Sequence, residues 1–495
     1  MNTRRPILVA LLLLLGSLSA LAAAEPRLNV LFIVSDDHSY PHVGCYGNPG
    51  LKTPHLDKFA AQGMRFERAY VTAPQCVPSR ASFLTGRSPV GMGMTRFSAP
   101  LPRHIKTSAE ALREAGWFTG VAGRTYHLDG ARTSPESRDV LDRYKLATFK
   151  DRLDFVKTAG GNEVSLEQFS EFLDLKPKDQ PFFLQLGSSD PHRPLTTAGP
   201  VKHDPATIVL PAHFPDTPLV REDFARYYDE IAHFDVFFGQ VMAELERRGL
   251  GGNTLVVFIG DNGCSQFRGK GTLYEFGVRV PLLVRWPGRA QADSRSDELV
   301  SGEDLAPTFL EAAGVPIPRE MTGRSFFKLL TGAPHEGRTH VFAERGSHGS
   351  ALPGNAAGFD LARVVITKSH KLIYHALGLQ PYLPVDFGGD RFWKELVEMN
   401  AGGKLDPKFA QLYFKPTRPL FEVYDLAVDP GEFNNLAGKA EMAGIEKELK
   451  AALNEWMILE NDYLPLPINP EPRNKNGNKN GEGGNKGGRK KAKPE

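Results

Sequence analysis

The sequence predicts an α/β fold: a large, mostly parallel central sheet flanked by helices, with a smaller C-terminal subdomain built on a short antiparallel sheet. Three observations carry that reading. Short apolar runs rich in β-branched residues end abruptly in polar turns and alternate with helical segments, the rhythm of buried parallel strands joined by crossover helices. At 495 residues the chain is roughly three times an ordinary domain, long enough for such a sheet and an attached unit. After residue 350 the rhythm changes to short runs separated by turn residues, as in antiparallel strands.

In chain order, Asn29 to Val34 (NVLFIV) is a buried strand whose carboxyl end carries Ser35-Asp36-Asp37. Leu56 to Gly63 and Ser82 to Gly86 read as helices, Ser108 to Ala115 as a helix closed by Gly116, and Phe118 to Ala122 as the next strand. The unit recurs as strand Phe182 to Leu186 before SSDPHRP, the long helix Arg221 to Arg248 closed by Gly249, and strand Thr254 to Ile259 before GDNG. RVVITKSHKLIYHAL and PLFEVYDLAVDP supply later strands, and an amphipathic helix covers Gly444 to Leu459. The expected organisation is a signal segment over 1–24, a main domain over 25–350, a C-terminal subdomain over 351–468 and a disordered basic tail over 469–495.

The two ends distort the overall charge. MNTRRPILVALLLLLGSLSALAAAE joins two arginines to an apolar run and small residues, the plan of a secretory signal cut near Ala24; its apolar run is shorter than the ~20 residues a spanning helix needs. Export to the periplasm or beyond is expected, without stable membrane insertion. From Asn469 the chain is rich in Gly, Asn and Lys and has no core-forming residues, so it is expected to stay unfolded. Removing +2 for the first segment and +5 for residues 471–495 from the total of +2 leaves about −5 on the body, which argues against nucleic acid as the main ligand. With only three cysteines, Cys45, Cys76 and Cys264, the chain does not depend on a disulfide framework. Cys45 and Cys264 read as small buried residues.

In sheets of this kind the ligand site lies beyond the carboxyl ends of the strands. Four segments deliver polar residues there: Asp36-Asp37, His127, Asp190 to His192, and Asp261-Asn262. An Asp-Asp pair also caps helices and Asp-Asn-Gly also makes turns. Two hard-oxygen pairs after two buried strands nevertheless suit a single Ca²⁺-like or Mg²⁺-like cation. Asp235, inside the long helix, reads as a buried hydrogen-bonding partner, and His38 and His42 read either as lining a pocket mouth or as solvated loop residues.

The segment Cys76-Val77-Pro78-Ser79-Arg80-Ala81-Ser82-Phe83-Leu84-Thr85-Gly86-Arg87 resembles the signature of the type I sulfatases of the alkaline phosphatase-like superfamily, in which the motif cysteine is oxidised to formylglycine. SDD at 35–37, TPHLDKFAAQGMRFERAY at 53–70, DPHRP at 190–194, GDNG at 260–263, GKGTLYEFGVRVPLLVRWPG at 269–288 and DLAPTFLEAAGV at 304–315 flank it in the family's order. The resemblance spans roughly residues 28–440. It implies an alkaline phosphatase-like fold and one divalent cation, usually calcium, held by Asp36, Asp37, Asp261, Asn262 and the modified Cys76. It further implies that Arg80 orients the formylglycine, that His127 takes the proton of its second hydroxyl, and that His192 and Lys270 contact sulfate and protonate the leaving oxygen.

Sulfate ester chemistry asks for such groups. The substrate is a stable anion, so its oxygens need offsetting charge and its sulfur a positioned nucleophile. A hydrated aldehyde carries two hydroxyls on one carbon: one attacks sulfur, and the other later expels sulfate as the aldehyde re-forms. Imidazole suits the acid role expected of His192, tuned by an adjacent carboxylate such as Asp190. In Gly123-Arg124-Thr125-Tyr126-His127 an arginine stands where many relatives carry lysine. Its guanidinium keeps the charge but is no proton donor, so Arg124 is expected to contact sulfate or formylglycine.

QPFFLQLGSSDPHRP, LPAHFPDTPLVREDFARYYDEIAHFD and the segments around SHKLIYHA and YDLAVDPGEFNNLA look most like heparan N-sulfatases (sulfamidases) and their bacterial relatives. Iduronate-2-sulfatase-like enzymes come next through GCYG and the spacing before His127. A sulfated carbohydrate of the glycosaminoglycan kind is the expected substrate, with His348, Arg193 and His104 as candidates for holding the sugar. A formylglycine-generating enzyme is the expected maturation partner. Two rivals remain: a phosphodiesterase or phosphonate hydrolase of the same superfamily, and an exported polysaccharide-binding protein that kept the fold and lost activity.

Overall fold

The computed structural model of the chain describes residues 27–95, 100–128, 135–157, 164–196, 201–348 and 359–467. The expected signal segment and basic tail lie outside the described residues. Eight strands form one sheet: β1 (Asn29–Ser35), β2 (Met64–Tyr70), β3 (Phe118–Gly123), β4 (Phe155–Lys157), β5 (Phe182–Gly187), β6 (Thr254–Gly260), β7 (Leu282–Arg285) and β8 (Ser294–Ser301). Their order is β4-β3-β5-β1-β6-β7-β2-β8, and β7 alone runs against its neighbours β6 and β2. β1 lies between β5 and β6 with Val34 opposite Gly187 and Ser35 opposite Gly260, so three polar turns leave the sheet side by side.

β1, β5 and β6 are buried along their whole length, because apolar layers cover both faces. Successive side chains alternate between faces: Val30, Phe32 and Val34 join a cluster with Phe83 and Phe309, and Leu31 and Ile33 join one with Phe234 and Phe238. This is why the central strands read as continuous apolar runs. β2 and β8 sit at the sheet's margin and keep half-exposed or exposed polar residues, so they lack that signal; β4 and β7 are too short to carry one.

The helix Cys76–Thr85 starts at Cys76 rather than at the expected Ser82. Pro78 falls in its first turn, where a missing N–H has no intrahelical acceptor to lose. The long helix spans Pro218–Arg247, started by Pro218 and by Thr217, whose side chain accepts a hydrogen bond from the Val220 N–H. Asp235 on this helix accepts the backbone N–H groups of His55 at 3.1 Å and Leu56 at 2.7 Å. It therefore ties down the N-terminus of the helix Pro54–Ala61, as a buried hydrogen-bonding partner should.

A second, antiparallel sheet contains β9 (Val341–Arg345), β10 (Ala362–Ile366), β11 (His370–His375) and β12 (Phe421–Asp425) in the order β12-β11-β10-β9. The helix Ala443–Leu459 packs Leu449, Leu453 and Trp456 against its Val365, Leu372 and Val423. Between β11 and β12 the chain makes two helices, Arg391–Ala401 and Pro407–Tyr413, that the sequence reading had not resolved. Phe392 and Trp393 cluster there with Phe224 and Tyr228 of the long helix. The buried Lys371 ion-pairs with Glu275 and Glu432, each at 2.8 Å, joining the second sheet to the loop after β6. Among the described residues no helix is long and apolar enough to cross a membrane.

Candidate active site

Backbone geometry sets the site before any side chain does. Beyond β1 the Asp36 N–H donates to the Asp190 carbonyl at 2.9 Å, and the Asp261 N–H to the Ser35 carbonyl at 3.0 Å. The turns after β1, β5 and β6 are thereby locked together. Asp37 takes a left-handed conformation, φ 60°, and its N–H donates to Asp261 Oδ1 at 2.9 Å. Gly123 at the end of β3 has φ 78°, and a Cβ there would lie 2.0 Å from the Gly187 carbonyl oxygen, so only glycine lets Arg124 and His127 approach β5. Cys76 is the first residue of a helix buried along its whole length and closed by Gly86 at φ 64°. A helix N-terminus aimed at the site favours anions there.

The predicted residues meet. Cys76 Sγ lies 3.3 Å from Asp36 Oδ1 and 3.9 Å from Asp37 Oδ1. Arg80 bridges Asp261 (Nε to Oδ2, 2.8 Å) and Asp36 (3.1 Å), and Arg124 Nε reaches Asp36 Oδ2 at 3.0 Å. Lys270 Nζ sits 2.9 Å from Asp37 Oδ1, and Asn262 donates to the same oxygen at 2.8 Å. His192 Nε2 stands 3.7 Å from Asp37 Oδ2. His127 is buried in the short turn after β3.

Burial and neighbouring charges set the protonation states. For Asp36 burial works to raise the pKa, yet Arg124 and Arg80 together hold it well below the carboxylate range. Asp37 is pushed up to about 7 and Asp261 to about 6, chiefly by burial, with the other carboxylates adding to it against Lys270 and Arg80 respectively. Burial, then Arg80 and Arg124, keep His127 well below its ordinary value, so its imidazole is neutral. Lys270 stays protonated despite its burial because Asp37 and Asp386 face it.

Asp36, Asp37, Cys76 and His192 offer ligand atoms within 4.8 Å of one another. The donor chemistry fits a hard cation: Asp36, Asp37 and Asp261 bring three buried carboxylates together, and the buried Asn262 Oδ1 has no hydrogen-bond partner. Asp261 and Asn262 reach the pair through the hydrogen bonds above, while His192, a nitrogen donor, sits on the solvent side.

Some expectations need correction. Asp190 does not tune His192: its carboxylate pairs with His233 Nδ1 at 2.7 Å, and His192, pushed down to about 4 by burial and Lys270, faces Asp37 and Asp386 instead. Arg193 is committed to Asp223 at 2.5 Å and Asp390 at 2.8 Å; His104 is exposed, which leaves its expected sugar contact as it stood. His38 and His42 are neither solvated nor pocket-lining. Both are buried, His38 bonded to Ser35 Oγ at 3.0 Å and His42 to the Tyr228 hydroxyl at 3.2 Å. Cys45 is half-buried rather than buried.

Sequence reading missed Asp386 and Gln75. Asp386 Oδ2 lies 2.8 Å from Lys270 Nζ, and its Oδ1 3.7 Å from His348 Nε2. Gln75 Nε2 donates to the Ser347 carbonyl at 2.9 Å, holding the His348 segment over the site. Asp386 sits in an ordinary polar loop, PYLPVDFGGD, with no local pattern to single it out.

The protein-family description "Sulfatase" matches residues 28–315, the stretch that supplies the whole ring of residues around Cys76. The chain belongs to the sulfatase family. A second description, "N-sulphoglucosamine sulphohydrolase, C-terminal", matches residues 263–377. The sulfatase is 27% identical to human N-sulphoglucosamine sulphohydrolase, over 92% of this chain and 94% of the relative. Its fold is shared with an enzyme solved in complex with its substrate D-glucosamine-2-N,6-O-disulfate (TM-score 0.64, 20% identity, 88% of this chain and 99% of that one). It is shared equally with the phosphonate monoester hydrolase of Silicibacter pomeroyi (TM-score 0.66, 21% identity, 88% and 96%). The chain is an enzyme, a sulfuric ester hydrolase.

Proposed function

We propose that this sulfatase removes sulfate from a sulfated carbohydrate, as an O-sulfate ester or a sulfamate, with position 76 in the formylglycine form and one divalent cation, Ca²⁺ before Mg²⁺. The observation that carries the reading is Cys76 Sγ placed 3.3 Å from Asp36 Oδ1 inside a ring of Arg80, Arg124, Lys270 and two histidines. Asp36, Asp37, Asp261 and Asn262, with the modified residue 76, would hold the cation. When present, the hydrated aldehyde supplies a regenerable nucleophile and the cation supplies positive charge beside it.

The chain's own residues do the rest. Arg80, Arg124 and Lys270 are buried, fixed donors for sulfate oxygens. His127, neutral in its buried turn, accepts a proton on its ring. His192 is neutral in the free site; an arriving sulfate favours its imidazolium, and Nε2 then passes a proton to the leaving oxygen. Carbohydrate as substrate is supported by the relatives named for sulfated glucosamines. On this reading residues 25–350 form the catalytic domain and 351–468 a subdomain framing its mouth. The chain is exported after cleavage near Ala24, and a formylglycine-generating enzyme acts before folding buries the helix Cys76–Thr85.

Two measurements test this. The peptide containing residue 76 should show, by mass spectrometry, the mass decrease of a thiol converted to an aldehyde. A panel of N- and O-sulfated glucosamines, run beside nitrophenyl phosphate and a phosphonate monoester, should show turnover of a sulfated sugar. An active preparation with unmodified Cys76, or faster turnover of the phosphorus esters, sinks the proposal.

A further inference from the structure

Asp386 is the carboxylate that the proposed sulfate chemistry leaves unexplained. A sulfate site must attract an anion, yet Asp386 Oδ2 lies 2.8 Å from Lys270 Nζ and 3.7 Å from His192 Nε2, the groups proposed to meet sulfate and the leaving oxygen. Its side chain is 33% exposed, against 19% for His192 and 12% for His348. Those of Arg80, Arg124 and Lys270 are 5% or less. Asp386 is thus the part of the cluster that an incoming substrate meets. Its backbone is held at φ 67°, a conformation costly for a residue with a Cβ and concentrated at functional sites.

The loop's origin indicates what the group is for. Asp386 lies beyond both matched ranges, 28–315 and 263–377, in the connection from β11 to the helix Arg391–Ala401. The shared sulfate chemistry therefore does not need it, whereas substrate choice is the usual property of such loops. An ionised carboxylate accepts about four hydrogen bonds. Lys270 and His348 bond to it, and with His192 Nε2 at 3.7 Å, beyond hydrogen-bond reach, two partners do not exhaust that capacity.

We propose that Asp386 reads the sugar: its carboxylate accepts hydrogen bonds from hydroxyl or amino groups beside the scissile sulfate, selecting rings with such donors there over rings with a second anion. This rests on the proposed sulfated-sugar hydrolysis and names its specificity determinant. The alternative is that Asp386 serves only as a second countercharge to Lys270. The two differ in sign. Removing the charge frees Lys270 and favours inorganic sulfate in either case, but only a sugar-reading carboxylate makes the sugar bind worse.

The test uses the full-length enzyme carrying Asp386→Asn or Asp386→Ala. It measures kcat and KM on N-sulfoglucosamine, or on the best-hydrolysed sugar of the panel, and the competitive Ki of inorganic sulfate. Losing hydrogen bonds to a charged group should raise KM about ten- to a hundredfold, a larger change than in kcat. Alanine should be worse than asparagine, which keeps an acceptor, and the Ki for sulfate should stay equal or fall. An unchanged KM, a KM and Ki that fall together, or a KM and Ki that rise together as in a damaged pocket would each overturn the proposal. Wild-type enzyme that hydrolyses no sulfated sugar would sink the proposed function first, before any variant is made.

Discussion

Cys76 is a poor nucleophile as the chain alone holds it. Burial, then the Asp36 carboxylate, pushes its thiol well above the ordinary range, and a protonated buried thiol is inert. The position makes chemical sense once the sulfur has been replaced by a group that does not depend on thiolate formation. Cys76→Ala should therefore cut kcat/KM by about 10⁴-fold or more, while calorimetry still detects substrate binding through Arg80, Arg124 and Lys270. Wild-type turnover in that variant would remove Cys76 from the reaction. Cys45 is no substitute: burial pushes its thiol up to about 12.

Among the elements, the long helix touches the site through Tyr227, whose hydroxyl donates to the Asp37 carbonyl at 2.9 Å, and braces its surroundings through Asp235. Asp235 anchors the helix Pro54–Ala61 through two backbone N–H groups, and burial pushes its carboxyl up to about 6 despite them. A carboxyl whose folded pKa is raised contributes stability below its unfolded pKa, about 3.9, and loses it as pH rises through the folded value. Wild-type protein should therefore lose stability between about pH 4 and 6 that Asp235→Asn does not lose, by an amount on the order of 2–3 kcal/mol. Urea unfolding across that range checks it; parallel pH profiles would contradict the account. The continuous apolar runs of β1, β5 and β6 were legible because both faces of each strand are covered. β2 and β8 were not, since marginal strands keep polar residues that erase the signal.

At the scale of the whole molecule two sheets share one buried charge cluster. Lys371→Met would leave Glu275 and Glu432 without their common partner and should cost about 3–5 kcal/mol in urea unfolding. A cost under about 1 kcal/mol, the worth of an exposed pair, would show that the junction is not buried in solution. The proposed cation acts globally as well. Chelation should abolish turnover and lower Tm, and added Ca²⁺ at a hundredfold excess over Kd should restore about 2.7 kcal/mol. Unaltered Tm and activity after exhaustive chelation would rule the cation out.

By itself the sequence determined the α/β fold, the polar turns at the strand ends and the residues of the ring around Cys76, because each is written locally as an apolar run with a carboxyl end or as a contiguous motif. Only the tertiary structure decided which charges face one another. It paired Asp190 with His233 instead of His192, committed Arg193 to Asp223 and Asp390, and brought Asp386 from a loop more than a hundred positions away to Lys270. Charge pairing depends on distance and burial in three dimensions, and neither leaves a periodic trace along the chain.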